Sequence, residues 1–310
     1  MGVIRMEGLT RRFGDTVAVD GITLSVERGE LFGLVGPDGA GKSTTMRLLA
    51  AILDPSGGDA WVLGHSVRGE AAKVHGRIGY MSQRTGMYAD LTVSENLRFY
   101  AELYGVPRRS RAPRFEELFA FSGLGPFRSR LAGNLSGGMR QKLGLSCAIV
   151  HTPSVLLLDE PTSGVDPVSR RDFWMILQRL LGEGVTILLS TSYLDEAERC
   201  RRIGLLHRGK LLAAGSPEEV RSLFRGTLLS VRCGEPRRAA ATLRQAFPGS
   251  SVGLFGDRVH FGGRDLPDPA PAVAAALTGA GVPFESVLPV PPSLEDVFIS
   301  VLGEDGRGAA

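Results

Sequence analysis

The chain has 310 residues, which is longer than one average domain and shorter than three. Hydrophobic residues make up 43% of it, which excludes a disordered protein. Its 36 Lys and Arg residues against 33 Asp and Glu residues leave a formal net charge of +3, which gives no electrostatic case for a nucleic-acid partner. The cysteines Cys147, Cys200 and Cys233 form no CxxC pair, so neither a disulfide framework nor a zinc site is expected. No apolar run approaches 18 residues, so no transmembrane helix is predicted.

Strands alternate with helical stretches from the first residues to about residue 222. Glu30–Val35 is an apolar strand that leads into a Gly-rich loop and a helix over Ser43–Ile52. Ser154–Asp159 and Val185–Ser190 are short, continuously apolar segments of the kind that is buried on both faces of a sheet. Such strands joined by helices predict an α/β domain over residues 1–222 with a mostly parallel sheet.

The segment from about residue 91 to 145 changes to a helical pattern. Ser94–Leu103 begins with a good N-cap residue, and Phe115–Ser122 follows as a second helix. We therefore predict a helical subdomain inserted into the α/β core.

The pattern changes again after residue 222. Strands and helices follow the order β-α-β-β-α-β, over Thr227–Cys233, Glu235–Phe247, a hairpin within Ser251–Phe261, Ala270–Gly279 and Val282–Val287. This order predicts a small α+β appendage of the ferredoxin-like type over residues 223–302.

The edges of this appendage carry weaker signals. Pro267, Pro269 and Pro271 predict a loop. A last amphipathic helix is expected over Ser293–Leu302, and residues 303–310 are expected to be a disordered tail.

The Gly-rich loop after the first apolar strand, Gly36–Ser43, fits the pattern G-x-x-x-x-G-K-[ST]. Glycines let the backbone wrap a phosphate, and the N-terminus of the following helix adds its positive dipole end. Lys42 can reach the β- and γ-phosphates, and the Ser43 hydroxyl can bind Mg²⁺. A Gly-rich turn that merely caps a helix is the alternative, and the strand-loop-helix context favours the phosphate loop.

Two carboxylates, Asp159 and Glu160, stand at the end of the apolar strand Val155–Leu158. In α/β proteins this end of a strand is where ligands bind. Asp159 would hold Mg²⁺, directly or through water, and Glu160 is placed to polarise an attacking water as general base. Together with the phosphate loop, the pair predicts a nucleoside-triphosphate hydrolase.

Leu135–Gln141, with the sequence LSGGMRQ, resembles the LSGGQ signature of ABC ATPases. It precedes the strand that carries the two carboxylates by about 20 residues, as that family requires. The resemblance covers residues 1 to about 222. It implies a P-loop core of the ABC type, ATP and Mg²⁺ as cofactors, and a dimer in which Ser136 and the amides of Gly137 and Gly138 face the γ-phosphate bound by the other subunit.

The resemblance extends to further positions. Phe13 matches an aromatic residue that stacks on adenine, with a core phenylalanine as the alternative, and Gln83 matches a glutamine that contacts Mg²⁺ and the attacking water. Asp166 ends a loop, Ser163–Asp166, that crosses the dimer interface in this family. The expected catalytic residues are Glu160, Gln83 and Ser192, and the expected metal ligands are Ser43, Gln83 and Asp159. The expected nucleotide contacts are Phe13, Gly36, Pro37, Asp38, Gly39, Ala40, Gly41, Lys42, Ser43, Thr44, Ser136, Gly137, Gly138 and Asp166.

Two positions depart from the family pattern. Asp38 stands where the family usually has Asn, and we expect this change to have little effect. Ser192 stands where the family has a histidine that holds the γ-phosphate. A hydroxyl carries no charge and reaches less far than an imidazole, and neither His151 nor His207 is an obvious substitute.

Two segments, Tyr88–Ala101 and Pro292–Phe298, resemble exporter ATPases of the daunorubicin-resistance and multidrug type. Those ATPases work with a separate permease of about six helices. The resemblance therefore implies a cytoplasmic subunit on the inner face of the cell membrane that drives efflux, paired with a second ATP-binding subunit in a homodimer or heterodimer.

Two alternatives stay open. With Ser192, the chain could be a regulatory half that binds ATP but hydrolyses it poorly while a partner ATPase does most of the work. It could also be a soluble ABC protein that acts on ribosomes or DNA, although such proteins usually carry two ATPase domains in one chain or a long coiled-coil insertion. The ATPase does not touch the cargo, so the sequence does not identify the transported molecule.

Overall fold

A computed structural model describes residues 2–83, 86–263, 266 and 268–305 of the chain. Its contacts divide the chain into two compact units, Met1–Ala214 and Gly215–Ala310. The division lies before the short helix Pro217–Arg221, whereas the predicted boundary followed it at residue 222. This helix packs against the last helix of the chain, which places it with the second unit.

Besides two short 3-10 helices, Gly125–Phe127 and Ala132–Asn134, the first unit contains seven α-helices and ten strands among the described residues. In chain order they are β1 Ile4–Phe13, β2 Thr16–Val26, β3 Leu31–Val35, α1 Lys42–Leu49, β4 Gly57–Val62, β5 His65–Ser66, α2 Ala71–His75, β6 Ile78–Met81, α3 Val93–Leu103, α4 Arg108–Ser122, α5 Gly137–Ala148, β7 Val155–Asp159, α6 Pro167–Gly182, β8 Thr186–Thr191, α7 Leu194–Ala197, β9 Arg202–His207 and β10 Lys210–Gly215.

Two sheets organise this unit. One has the order β2-β1-β4-β5 and pairs antiparallel, and the other has the order β10-β9-β3-β8-β7-β6. In the second sheet β9, β3, β8, β7 and β6 pair parallel. Every residue of β3, β7 and β8 is buried, as their continuous apolar sequences predict. Met46, Leu48 and Leu49 of α1 belong to one buried cluster with residues of both sheets.

The helical insertion differs from its prediction in where its helices begin. Thr92, not Ser94, caps α3, because Thr92 and Glu95 form a reciprocal capping box. Helix α4 begins at Arg108, seven residues before the predicted Phe115. A side-chain hydrogen bond to a distant part of the chain stabilises its first two turns, because Arg114 donates to the carbonyl oxygen of Ile149 at 2.6 Å. Such tertiary contacts override local helix propensity.

The second unit contains α8 Pro217–Arg221, β11 Thr227–Cys233, α9 Pro236–Ala246, β12 Ser251–Phe255, β13 Arg258–Gly263, α10 Pro269–Gly279, β14 Phe284–Pro289 and α11 Leu294–Asp305. Its antiparallel sheet has the order β12-β13-β11-β14. Residues of α9 and α10 form a buried core with one face of this sheet. On the opposite face, Gly253 leaves room for Ile299 of α11, because a Cβ there would lie 3.1 Å from the Ile299 side chain.

Two expectations for this unit are wrong in part. Pro269 and Pro271 lie in the first turn of α10 rather than in a loop, because the amide hydrogens that proline lacks have no helical partner there. Helix α11 continues to Asp305, so residues 303–305 are not a disordered tail. Pro267 and residues 306–310 lie outside the described residues. Within the part of the chain that the structure describes, no helix is both long and apolar enough to cross a membrane.

Candidate nucleotide site

A cleft of about 580 Å³ opens in the first unit where four neighbouring strands of the parallel sheet end. Most of the segments that line it follow β3, β6, β7 and β8, because the carboxyl ends of parallel strands meet at one edge of a sheet. Residues of β1 and β2 complete the lining. The cleft is lined by Phe13, Ala18, Asp38, Gly39, Ala40, Gly41, Lys42, Ser43, Thr44, Gln83, Glu160, Ser163, Ser192 and Tyr193.

The loop between β3 and α1 needs glycine at two positions. A Cβ at Gly36 would lie 2.3 Å from the carbonyl oxygen of Leu206. Gly41 has φ 103°, a left-handed conformation that side chains other than glycine's rarely adopt, and a Cβ there would lie 2.3 Å from the carbonyl oxygen of Ala18. Gly41 is the N-cap of α1, so the free amides of this helix N-terminus lie at the cleft.

The Lys42 ammonium group is held at the base of the cleft. Its Nζ donates to the carbonyl oxygens of Gly36, at 2.7 Å, and Pro37, at 3.0 Å, and lies 2.9 Å from Glu160 Oε1. Only 4% of the Lys42 side chain is exposed. A buried ammonium group with a fixed position is suited to bind phosphate oxygens.

Asp159, at the end of β7, is fully buried beneath the cleft. Its Oδ1 accepts from Ser43 Oγ at 2.9 Å and from Ser190 Oγ at 2.7 Å. Its Oδ2 is buried and has no hydrogen-bond partner among the described residues. An unpaired carboxylate oxygen beside a serine hydroxyl is an oxygen donor set that Mg²⁺ prefers, so the residues present fit this ion.

Glu160 turns away from the line of β7 into the cleft. Its φ is 47°, uncommon for a residue other than glycine, and its amide donates to Ser190 Oγ at 3.0 Å. Gln83 Nε2 donates to Glu160 Oε2 at 3.0 Å. One carboxylate oxygen thus contacts Lys42 and the other contacts Gln83. A positive φ at a residue other than glycine, as at Glu160, is a backbone strain that concentrates at functional sites.

Two predicted residues lie on the outer walls of the cleft. Phe13 ends β1, and 45% of it is exposed, so it is not a core residue. The Arg11 guanidinium lies 4.6 Å from the centre of its ring. Ser192 follows β8 and is exposed. Phe13 thus offers an accessible aromatic surface for stacking on a base.

Six predicted nucleotide contacts are not among the residues that line this cleft. Gly36 and Pro37 contribute through their carbonyl oxygens, which accept from Lys42 Nζ. The other four lie at the N-termini of two helices. Ser136 caps α5 by accepting from the amide of Met139 at 3.3 Å, and Gly137 and Gly138 follow it in the first turn. Asp166 caps α6 and accepts from the amides of Ser169, at 2.9 Å, and Val168, at 3.1 Å. The amide of Ser169 in particular lowers the pKa of Asp166 below its ordinary value. Ser136, Gly137, Gly138 and Asp166 thus lie at two helix N-termini outside the lining of this cleft.

Three lining residues were absent from the predicted contacts: Ala18, Ser163 and Tyr193. Ala18 carries no chemical signal in the sequence, because its methyl side chain has no polar or charged group. His151, in contrast, bonds the carbonyl of Ile78 at 3.0 Å and stacks on Tyr104, so it is held away from the cleft.

Comparisons with known proteins identify the family. Residues 19–163 match the family model described as ABC transporter. The probable multidrug ABC transporter ATP-binding protein YbhF of Escherichia coli (strain K12) is 43% identical over 308 residues, which cover 98% of this chain and 53% of that protein. The chain thus spans about half the length of that relative.

A second relative matches over nearly its whole length. The daunorubicin/doxorubicin resistance ATP-binding protein DrrA of Streptomyces peucetius is 38% identical over 304 residues, which cover 97% of this chain and 92% of that protein. Among solved structures, an ATP-binding subunit of an ABC transporter superposes with a TM-score of 0.66 at 29% identity, covering 72% of this chain and 93% of that one.

Proposed function

Since the chain belongs to the family of ABC transporter ATP-binding proteins, we propose that it binds ATP with Mg²⁺ and hydrolyses ATP to drive export through a separate permease. The observation that supports this proposal most is the meeting of Lys42, the unpaired Oδ2 of Asp159 and the Glu160 carboxylate at one cleft. These groups supply a phosphate contact, a metal ligand and a base.

Each residue has a step that its position allows. Glu160 accepts a proton from a water molecule as that water attacks the γ-phosphorus, and the bond to the β,γ-bridging oxygen breaks to leave ADP and inorganic phosphate. Gln83 orients that water from the opposite side of the carboxylate. Asp159 and Ser43 would hold Mg²⁺, which when bound offsets the charge of the phosphate oxygens.

Lys42 contacts Glu160 directly in this structure. Phosphate oxygens compete for the same ammonium group, and a lysine that moves toward them leaves Glu160 Oε1 available for water. We propose that nucleotide binding thereby frees the base, so that its full basicity is present only when a phosphate is in place.

A second ATP-binding subunit would complete each site. Ser136, Gly137 and Gly138 stand at the N-terminus of α5, where amide groups and the helix dipole favour an anion. Because they lie outside the cleft of their own chain, we propose that they contact the γ-phosphate held by the partner, and that Asp166 lies at the interface between the two.

The export role rests on relatives named for multidrug transport and for daunorubicin resistance. A groove of about 420 Å³ between α1, α2 and α3 supports a contact with a permease. Ile52, Leu103 and Tyr104 line it, and Leu103 is 63% exposed. We propose that a permease of about six helices docks here and holds the chain on the cytoplasmic face of the membrane.

Recruitment to membranes tests this docking. With the permease from a neighbouring gene co-expressed, we expect the chain to sediment with membranes, and without it to stay in the supernatant. Leu103→Glu places a charge in the apolar groove and is expected to reduce the sedimented fraction at least about tenfold, as a desolvated unpaired charge costs several kcal/mol. Met175→Glu is the matched control, since Met175 is 57% exposed on α6. Membrane binding by the lone chain, or equal loss in both variants, contradicts the proposal.

One observation favours a second function, that of a half-site with weak hydrolysis. Ser192 lines the cleft at the position where the family has its γ-phosphate histidine. Losing one well-placed donor to the transition state costs about 10²–10³ in rate. Nucleotide binding suffers less, because Lys42 and the loop amides remain.

Replacing this serine decides between the two functions. We expect near-normal ATP affinity with slow basal turnover in the parent, and Ser192→His is expected to raise steady-state hydrolysis by at least about tenfold. Ser192→Ala reports what the hydroxyl itself contributes, and Glu160→Gln serves as the blank. If the parent already hydrolyses ATP rapidly and Ser192→His does not change the rate, the chain is an ordinary transporter ATPase and the half-site function is rejected.

A further inference from the structure

A buried carboxylate outside the cleft joins three segments that border it. Glu196 lies in α7, and only 1% of it is exposed. It accepts hydrogen bonds from Thr162 Oγ1, from Thr191 Oγ1 at 2.7 Å and from Trp174 Nε1 at 3.4 Å. The Arg170 Nε lies 3.8 Å from the same carboxylate.

Two of these partners, Thr162 and Thr191, adjoin residues of the nucleotide site. Thr162 lies two residues after Glu160 and one before Ser163. Thr191 immediately precedes Ser192, and its Oγ1 also accepts from the amide of Tyr193 at 3.0 Å.

The helix behind the loop that ends at Asp166 contributes the other two partners. Trp174 and Arg170 belong to α6, whose N-cap is Asp166. The Arg170 guanidinium also lies 4.4 Å from the centre of the Tyr193 ring. Glu196 therefore bonds both to the helix behind this loop and to Thr191, the last residue of β8, which holds the amide of Tyr193.

Stability alone is a weak reason for this arrangement. Removing a carboxylate from water is costly, and well-packed apolar residues often serve as well as a buried ion pair. A buried polar group that is fully hydrogen-bonded has another effect: it holds the segments that it joins in one defined arrangement. Here those segments are the turn after Glu160 and the end of β8, which leads into Ser192 and Tyr193.

We propose that Glu196 is a positioning residue for ATP hydrolysis: it fixes the Ser192–Tyr193 segment against the turn Glu160–Ser163. Hydrogen bonds to the Glu196 carboxylate then set the distance between Ser192 and the base, Glu160. This inference rests on the proposed function. It places the effect on turnover rather than on nucleotide binding, because Glu196 does not line the cleft and makes none of the bonds that hold Lys42.

Two threonine variants and their rescues test the proposal. Thr162→Val removes one hydrogen bond to Glu196 at nearly constant volume. Thr191→Val removes one bond to Glu196 and also the acceptor of the Tyr193 amide. Thr191→Ser and Thr162→Ser restore the hydroxyl. We expect kcat to fall by about tenfold to 10²-fold in the valine variants, as for misplacement of a reacting group by about 1 Å. The KM for ATP is expected to stay within about twofold, and the serine variants are expected to recover kcat.

Glu196 itself is probed with two substitutions. Glu196→Leu removes all the bonds and is expected to lower kcat at least as much as Thr191→Val, with little further loss when the two are combined. Glu196→Gln keeps shape and hydrogen-bonding capacity, because both threonine hydroxyls can donate or accept, and is expected to retain more of kcat. Glu183→Gln, at the exposed C-terminal end of α6, is the matched control and leaves kcat unchanged.

Amide hydrogen exchange of the segment 190–195 provides a second readout that needs no turnover. We expect faster exchange at Ser192 and Tyr193 in Thr162→Val and in Glu196→Leu than in the parent, because both variants keep Thr191 Oγ1 as the acceptor of the Tyr193 amide and so report on Glu196. Unchanged exchange overturns the inference whether or not the parent hydrolyses ATP, and so does an unchanged kcat in folded valine variants. Equal losses in kcat and ATP affinity also overturn it, because they indicate a general structural role. If the variants exchange faster than the parent as expected, but the parent shows no hydrolysis, the result counts against the proposed function alone.

Discussion

Lys42→Ala is expected to weaken ATP binding by about 30-fold or more and to remove measurable turnover. Lys42 is the buried ammonium group at the base of the cleft, and removing one partner of a desolvated charge pair costs about 2–5 kcal/mol, at about 1.4 kcal/mol per tenfold change. The substitution also leaves the Glu160 carboxylate without its counter-ion. Equilibrium titration with a fluorescent ATP analogue and steady-state phosphate release measure the two losses.

The control for this substitution is Lys73→Ala. Lys73 pairs with Glu70 on the surface, and 62% of its side chain is exposed, so its removal is expected to change neither quantity. Thermal unfolding of both variants separates a local loss from a general one. Unchanged affinity together with unchanged turnover in Lys42→Ala rejects the phosphate-loop assignment.

Glu160→Gln is expected to slow hydrolysis by at least about 10²-fold while ATP still binds, because general-base catalysis contributes about 10²–10⁴. An amide has nearly the shape of a carboxylate, and its oxygen can still accept from Lys42. The Gln83 amide can rotate to accept from the new NH₂ group, so the local hydrogen bonds survive. The substitution thus removes the basicity of the carboxylate and its charge beside Lys42, while the hydrogen bonds are kept.

The same variant is expected to accumulate as an ATP-bound dimer, since slow hydrolysis prolongs the closed state. Size-exclusion chromatography with and without ATP and Mg²⁺ detects this change, and Glu183→Gln on the surface of α6 serves as the matched control. If Glu160→Gln hydrolyses ATP at the parent rate, Glu160 is not the base, and another group that lines the cleft must be sought.

The family, the ABC ATPase fold and the parallel sheet of the first unit could be predicted from the sequence, and the comparisons confirm the family. Gly36–Ser43, Asp159 with Glu160, and Leu135–Gln141 are local patterns, and each lies where continuous apolar strands or a helix cap place it. Such features depend on short-range geometry: glycine at a left-handed φ, a lysine at the first helical turn and a carboxylate at a strand end. The sequence by itself therefore determined which chemistry this chain carries.

Only the tertiary structure decided how those groups meet. The Lys42–Glu160 and Gln83–Glu160 contacts join residues more than 70 positions apart, and no local pattern predicts the unpaired Oδ2 of Asp159. Glu196 carried no signal at all, because its role depends on packing that brings Thr162 and Thr191 to one buried carboxylate. The reason is physical: hydrogen bonds between distant segments exist only after strand order in the sheet has placed β7 beside β8.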